Sequence, residues 1–288
     1  MTMFFVIIII LGYFISTYYR SSAILYVAVI FSVVMNIASY WWSDKIVLSM
    51  SGAKEAKHDE YTELYHIVEN LSITAGLPMP KVYIITDASP NAFATGRNKE
   101  HAVVAVTTGL LQILDKTELE GVIAHELSHI GNRDILLSTV IVVLVGFVSI
   151  MANIFMRGGM GKGGRSGDSK GGNILAIVGI IFVILSPIFT KLIQLAISRK
   201  REYLADASGV LLTRYPEGLV GALRKISQAG IPMQSANSAT AHLYISNPFG
   251  LSAQAGATTN KFSGLFSTHP PVEERIKALI SNTINGQI

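Results

Sequence analysis

The sequence contains no cysteine and few charged residues. None of its 288 residues is cysteine, and 15% are charged. Without cysteine the chain can form neither a disulfide framework nor a thiolate metal site, so histidine and carboxylate side chains must supply the ligands of any bound metal. Hydrophobic residues make up 50% of the chain and the mean hydropathy is +0.45, which indicates a membrane protein rather than an average soluble domain.

The basic residues do not alternate with aromatic residues as they do on nucleic-acid-binding surfaces. The formal net charge is +4, and the lysines and arginines lie mainly beside hydrophobic runs. Basic residues in that position are typical of the ends of membrane spans. We therefore predict a lipid bilayer, and no nucleic acid, among the partners of the chain.

Four long hydrophobic runs predict about four transmembrane helices. A helix of roughly 20 residues crosses a hydrocarbon core of about 30 Å. The runs cover residues 1–19, 23–43, 135–156 and 174–195. The first run has no basic leader and no small-x-small cleavage site, which argues against a cleaved signal peptide. The last two runs could instead form a re-entrant or partly buried hairpin, because hydropathy measures length and not depth.

One short motif, His125-Glu126-Leu127-Ser128-His129, carries recognisable chemistry. On a helix, positions i and i+4 share a face, so both imidazoles can reach one ion. Neutral imidazole suits Zn²⁺, and three protein ligands leave a position for water in a catalytic zinc site. Glu126 would then be the general base rather than a ligand. Asp115 or Thr117, each with an acid three positions later, is the predicted N-cap of this helix.

A third metal ligand is predicted beyond the second hydrophobic pair. A chain that enters the membrane and returns brings the segment after residue 195 back to the side of His125 and His129. Glu202 in that segment is the best candidate for the missing carboxylate ligand. Asp206, one helical turn later, could accept the second ring N–H of a zinc-bound histidine.

The runs and the motif together divide the chain into four parts. These are an N-terminal transmembrane hairpin, a first catalytic part with a small sheet and the zinc-binding helix, a second transmembrane hairpin, and a second catalytic part. Their predicted bounds are residues 1–43, 44–134, 135–197 with a glycine-rich loop at 157–173, and 198–288. The predicted fold class is a membrane α+β protein, in which a mostly helical zincin-like domain with a small sheet is fused to the transmembrane helices.

Local patterns predict five further elements. An amphipathic stripe indicates a helix over residues 59–74, and Val- and Ile-rich segments indicate strands at 81–86 and 102–107. Between these strands, the residue types in segment 89–96 favour a turn and the start of another strand. Two prolines open a last helix, which is predicted from Val272 to about Asn282.

Several motifs spread along nearly the whole chain resemble those of one protease family. They are the His125–His129 motif, Glu202 with Asp206, the triplet Asn91-Ala92-Phe93, and His269-Pro270 with Arg275. In their order and spacing, and in the four hydrophobic runs, the sequence resembles the HtpX-type membrane zinc metalloproteases, which share a superfamily with the CAAX prenyl endopeptidases.

This resemblance implies one Zn²⁺ per chain, held by His125, His129 and Glu202, with Glu126 as the general base. It also implies that Asn91, Ala92 and Phe93 belong to the substrate cleft, where an edge strand pairs with an extended peptide. His269 or Arg275 would stabilise the oxyanion or position the helix of Glu202. The implied role is cleavage of misfolded or damaged membrane proteins at the cytoplasmic side of a bacterial inner membrane. Counting of basic residues favours the same side.

Two other functions remain as alternatives. An intramembrane zinc protease would carry its motif inside a hydrophobic span, yet Asp115, Lys116, Glu118 and Glu120 precede this one. A catalytically inactive metal-binding membrane scaffold would have no need of Glu126 between two histidines. A zinc endopeptidase at the membrane surface accounts for all of these features.

Overall fold

The computed structural model describes residues 2–143, 198–237, 239–250 and 270–284. The chain begins with two apolar helices, α1 (Thr2–Tyr19) and α2 (Ser22–Trp41), which pack against each other as a hairpin. A Cβ on Gly12 of α1 would lie 2.4 Å from the Cβ of Ala28, so the contact requires glycine. Among the described residues, α2 is the one helix that is long and apolar enough to cross a membrane.

A small four-stranded sheet follows the hairpin. Its strands are β1 (Lys54–Glu55), β2 (Lys81–Ile85), β3 (Ala92–Gly96) and β4 (Ala102–Thr107). In the order β1-β2-β4-β3, the central pair is parallel and both outer pairs are antiparallel, so β3 is an edge strand. The strands predicted at 81–86 and 102–107 and the strand start predicted in 89–96 are all present.

Helices make up most of the remaining described chain. They are α3 (Ser43–Met50), α4 (Thr62–Ala75), α5 (Thr108–Ile113), α6 (Lys116–Gly131), α7 (described over Asp134–Val143), α8 (Arg199–Thr213), α9 (Pro216–Ala229) and α10 (Val272–Ile284). The helices predicted at 59–74 and from Val272 therefore form as α4 and α10. Gly76 ends α4 in the left-handed conformation, with φ of 63°.

Strand β4 is buried on both of its faces, which explains its uninterrupted apolar sequence. Side chains of β4 point alternately to two cores. Val104 and Val106 pack with α4, α6 and α9 in the larger core, whereas Val103 and Ala105 pack with α3 and α7 in the smaller one. The sheet thus separates the helix that carries His125 from the chain that leaves α2.

The described part of the third hydrophobic run packs against the protein itself. Ile135, Thr139 and Val142 of α7 are 2%, 0% and 0% exposed, and Val142 belongs to the smaller core. The rest of the third run, the glycine-rich loop and the fourth run fall in residues 144–197, which lie outside the described residues. The fold is mostly helical with a small sheet, as predicted, and the number of spans stays a prediction.

Candidate metal centre

The helix that carries the motif starts at a capping box. Asp115 is the N-cap: its Oδ1 accepts from the backbone N–H of Glu118 at 3.0 Å, and Glu118 Oε2 accepts from the backbone N–H of Asp115 at 2.9 Å. Of the two predicted caps, Asp115 is therefore the one used. Lys225 of α9 donates to the same Glu118 carboxylate, which attaches the start of α6 to the neighbouring helix.

Helix α6 places both histidines of the motif on one face. His125 and Glu126 are each 1% exposed. The two Nε2 atoms of His125 and His129 lie 3.2 Å apart, and their rings are nearly perpendicular at 89°. This spacing of one helical turn is the one that the sequence predicts for two ligands of a single ion.

Helix α8 brings Glu202 to the two histidines from a distant part of the sequence. Glu202 Oε2 lies 3.8 Å from His125 Nε2, and Oε1 lies 3.6 Å from His129 Nε2. The helices approach closely at Gly209, where a Cβ would lie 3.0 Å from the backbone nitrogen of His125. A residue without a side chain at this position lets Glu202 reach the histidines.

The three side chains fit a metal ion. Their ligand atoms all lie within 4.8 Å of one another. Ligands at about 2.0–2.2 Å from a tetrahedral Zn²⁺ are themselves roughly 3.4 Å apart, close to the spacings seen here. Two imidazoles and one carboxylate are also a donor set that catalytic zinc sites use. The His125, His129 and Glu202 group can therefore hold a metal ion without rearrangement of the backbone.

A buried carboxylate orients the first histidine. His125 Nδ1 lies 2.9 Å from Asp206 Oδ1, so the Nδ1–H donates to Asp206 and the Nε2 lone pair faces the metal position. Burial lowers the pKa of His125 to about 4, which keeps the ring neutral. Burial by itself would raise the pKa of Asp206, but Arg275 and His125 hold it well below its usual range.

Asp134 does the same for the second histidine, although the sequence did not single it out. Its Oδ2 lies 3.2 Å from His129 Nδ1, and its Oδ1 lies 3.8 Å from Arg201 Nε. Burial lowers the pKa of His129, but the bond to Asp134 and the charges of Glu202 and Glu126 outweigh it and raise the pKa to about 9. A bound metal would displace that proton.

Glu126 lies between the histidines and is not one of the three ligands. The pKa of Glu126 is raised to about 7, chiefly by burial and also by the nearby Glu202 charge, although His129 and Arg275 lower it. The backbone N–H of Ala94 in β3 lies near this carboxylate and lowers its pKa. A carboxyl group with a pKa near neutrality can take up and release a proton at physiological pH.

Arg275 is fully buried and holds the helix of Glu202. Its Nε donates to Asp206 Oδ2 at 2.8 Å and its Nη2 donates to Asp206 Oδ1. Its Nη2 also lies 3.4 Å from His125 Nδ1, but both nitrogens are donors, so this is a contact and not a hydrogen bond. Of the two predicted roles, the contacts fit the positioning one. The other predicted residue of this pair, His269, lies outside the described residues.

The predicted substrate-binding triplet lies at the start of the edge strand, but the chain itself covers it. The covering residues are Ala241–Ser246, which we call the closing segment. The backbone N–H of Ile245 donates to the carbonyl of Ala92 at 3.0 Å. Asn91 Nδ2 donates to the carbonyl of Ser246 at 2.9 Å, and its Oδ1 accepts from the N–H of the same residue at 3.2 Å.

The closing segment is packed firmly onto the strand. Phe93 and Tyr244 are both 0% exposed, and their rings meet edge to face with centroids 5.1 Å apart. Beside the metal ligands the segment leaves a cavity of about 30 Å³, closed on this side by His242, Leu243 and Ile245. Such a volume admits about one water molecule and no peptide.

Comparisons with known proteins agree with this site. The model of peptidase family M48 matches residues 58–283. A protease HtpX homolog of Caldanaerobacter subterraneus subsp. tengcongensis is 46% identical over 288 residues, covering 98% of this chain and 93% of that protein. Another, from Pyrococcus furiosus, is 51% identical over 247 residues, covering 85% of this chain and 82% of that protein.

The crystal structure of S. mikatae Ste24p shares the fold. It matches with a TM-score of 0.54 at 20% sequence identity, covering 94% of this chain, which spans 62% of the length of the Ste24p chain. The family match and the HtpX homologs confirm the resemblance predicted from the motifs. The chain belongs to peptidase family M48 and is a membrane metalloprotease.

Proposed function

We propose that this metalloprotease cleaves peptide bonds of protein substrates at the membrane surface with one Zn²⁺ held by His125, His129 and Glu202. The observation that carries the proposal is the convergence of these residues from two distant helices, α6 and α8. Each histidine has its Nδ1 bonded to a carboxylate, which leaves both Nε2 atoms for the ion. When bound, Zn²⁺ supplies a Lewis acid that polarises the scissile carbonyl and makes a water more acidic.

Glu126 acts as the general base in this proposal. Its carboxylate accepts a proton from the attacking water, whose oxygen bonds to the carbonyl carbon. The same proton then passes to the amide nitrogen as the C–N bond breaks and the amine leaves. The Ala94 N–H, which lies near the carboxylate, stabilises its ionised form, which is the form that accepts the proton.

The substrate binds along the outer edge of β3. An extended peptide adds to a sheet by pairing with the free N–H and C=O groups of an edge strand. Ala94 lies beside the metal ligands in the lining of the central cavity, so pairing at β3 would bring a peptide bond to them. Because the closing segment bonds to Ala92, it has to move aside before Asn91, Ala92 and Phe93 can meet a substrate.

Arg275 and Asp206 position the Glu202 helix in this proposal. The two residues join α10 to α8 through a buried pair of hydrogen bonds, and Asp206 in turn orients His125. We include His269 as an active-site residue on the basis of the family resemblance alone.

We further propose a multi-pass protein whose four predicted spans place the catalytic parts on the cytoplasmic side. Its substrates would be misfolded or damaged membrane proteins, since α2 ends beside the catalytic domain. The polar Asp115 cap at the start of α6 supports a site above the bilayer rather than inside it, against the intramembrane alternative.

The test uses Glu126→Gln in the detergent-purified full-length chain, assayed for both bound zinc and cleavage of an unfolded protein. Zinc should remain near one per chain while turnover falls by about 10²–10⁴-fold, the usual contribution of a general base. A Glu120→Gln variant on the same helix is the matched control. If Glu126→Gln cleaves as fast as this control, the catalytic role of Glu126 is wrong.

A further inference from the structure

A second cavity lies where the apolar helix α2 meets the catalytic domain. It has a volume of about 730 Å³ and lies between the end of α2 and the ends of β2, β3 and β4. We call it the interfacial cavity. The lining residues that matter here are Trp41, Trp42, Lys45, Lys81 and Arg97. It shares no lining residue with the metal-site cavity.

The position of the interfacial cavity corresponds to the headgroup level of a bilayer. Helix α2 has 20 residues and a mean hydropathy of 2.1. Only 11% of its apolar stretch is buried inside the protein. It ends at Trp41, and Trp41 and Trp42 are 52% and 51% exposed. Exposed tryptophans at the end of an apolar helix settle among lipid headgroups.

Three cations, Lys45, Lys81 and Arg97, line the interfacial cavity. Within the part of the chain that the structure describes, no carboxylate lies within 4 Å of the charged atoms of Lys45, Lys81 or Arg97. Asp44 and Glu100 are the acids in the same lining. The lining therefore carries a formal net charge of +1, which one phosphodiester neutralises.

Arg97 contacts the side chains of His101 and Trp41, neither of which is acidic. Its Nη2 lies 2.7 Å from His101 Nε2, and His101 Nδ1 lies 2.7 Å from Asn98 Oδ1. These contacts fit an Nδ1–H tautomer in which Nε2 accepts from the guanidinium. The Arg97 guanidinium also lies 4.6 Å from the ring centre of Trp41. A fixed guanidinium next to an interfacial tryptophan is suited to bind a phosphate oxygen.

Apolar side chains complete the lining and distinguish a lipid from a soluble phosphate ester. Ile37, Leu48, Met79 and Val103 line the same space, and Ile37 continues directly into the exposed face of α2. A ligand that is anionic at one end and apolar at the other matches this arrangement.

We propose that the interfacial cavity binds the phosphodiester of an anionic phospholipid whose headgroup is otherwise uncharged, such as phosphatidylglycerol. The phosphate contacts Lys45, Lys81 and Arg97, and the start of the acyl chains follows the apolar lining toward α2. Binding itself does not depend on the proposed zinc chemistry.

Lipid binding would also fix the edge strand, an effect that does rest on the proposed function. Arg97 directly follows Gly96, the last residue of β3, and Gly96 has a φ of 142°. A Cβ on Gly96 would lie 2.4 Å from the carbonyl oxygen of His101, so the end of β3 packs against His101 without space for a side chain. A phosphate held by Arg97 would restrain the end of β3, three residues from Ala94, which lies beside the metal ligands.

The experiment uses the two tryptophans, which are the only ones in the chain. The full-length Glu126→Gln protein, which binds lipid whether or not it cleaves, is placed in phosphatidylcholine nanodiscs. A small fraction of the lipid is then replaced by phosphatidylglycerol or by phosphatidylcholine with the same brominated acyl chains. We expect brominated phosphatidylglycerol to quench the tryptophan fluorescence at a several-fold lower lipid fraction than brominated phosphatidylcholine.

Charge variants test whether the cavity causes that preference. Lys81→Gln and Arg97→Gln should each remove most of it, because one cationic contact contributes roughly fivefold. Lys277→Gln on α10, also an exposed lysine, removes the same charge elsewhere and should leave the preference intact. Equal quenching by the two brominated lipids, or equal loss in all three variants, would overturn the proposal.

A final arm separates a lipid from a free phosphate ester. Soluble glycerol phosphate at millimolar concentration should leave the phosphatidylglycerol preference unchanged, because it lacks the apolar part. If it abolishes the preference, the cavity binds phosphate esters from solution and the lipid assignment is wrong. In a separate cleavage assay of the active chain, Arg97→Gln should lower kcat/KM in phosphatidylglycerol nanodiscs only.

Discussion

The backbone N–H of Ile245 donates to the carbonyl oxygen of Ala92 at 3.0 Å, so the protein's own chain occupies the edge that a substrate would use. The same closing segment satisfies both polar ends of the Asn91 side chain. A cavity of about 30 Å³ remains beside the metal ligands. In the proposed mechanism this segment therefore has to move aside before a peptide can pair with β3.

Removing the Ile245 hydrogen bond should make the protease faster. Ile245→Pro lacks the N–H, and loss of a hydrogen bond worth about 1 kcal/mol favours the open form by roughly fivefold. We expect kcat/KM for a short peptide to rise by about that factor. Ile245→Val keeps the N–H and serves as the control, with bound zinc measured in both. Equal rates for the two variants would show that this bond does not limit access.

Asp134 should contribute to zinc affinity through its contact with the ligand His129. Asp134→Asn weakens the acceptor for the His129 Nδ1–H, and loss of such a partner usually costs about 10–100-fold in metal affinity. Competition with a chromophoric chelator measures the zinc Kd. The control is Asp59→Asn, the same substitution at an exposed site. A zinc Kd equal to that of the control would remove Asp134 from the metal centre.

Close approach of α8 to α6 should depend on Gly209. Gly209→Ala places a Cβ about 3.0 Å from the His125 backbone nitrogen and should push Glu202 away from the histidines, so that zinc affinity and turnover fall together. Gly131→Ala in α6, where a Cβ would meet only Leu77 at 3.9 Å, is the control. Normal zinc affinity in Gly209→Ala would mean that the helices can adjust.

Activity should be lost on the acid side of neutrality. Burial raises the pKa of Glu126 to about 7 in the metal-free chain, and a bound cation lowers it again. Since the base must be ionised, kcat/KM should fall as the pH drops through a value at or below about 7 and should be constant above it. Zinc content is measured at each pH, because acid also protonates the histidines. A flat profile down to pH 5 with zinc still bound would contradict the role of Glu126.

Local sequence patterns predicted the parts of the site that are determined by neighbouring residues. The i and i+4 spacing of His125 and His129, and the cap at Asp115, follow from helix geometry alone. Glu202 was predicted because the zinc site lacked a third ligand. A membrane hairpin would return the chain to the side of the membrane where His125 and His129 lie. These three inferences agree with the geometry of the described residues.

Contacts that depend on a turn or on distant packing were not predicted. Asp134 reaches His129 because Arg133, at φ of 63°, turns the chain back after α6, and a positive φ at arginine has no sequence signature. The closing segment meets β3 across about 150 residues of sequence, where no local periodicity operates. Arg275 was recognised from the resemblance, but its pairing with Asp206 required the fold.

The junction between the apolar helix α2 and the catalytic domain determines how far the metal centre lies from the end of α2. Trp42 alone separates α2 from α3, and Val47 of α3 is fully buried in the smaller core, so no flexible linker intervenes. In the proposed topology, in which α2 spans the membrane, the metal centre is therefore held at one height above the bilayer. With the site at a fixed height, membrane-anchored substrates should be cut at a constant number of residues from their transmembrane spans, whatever the local sequence.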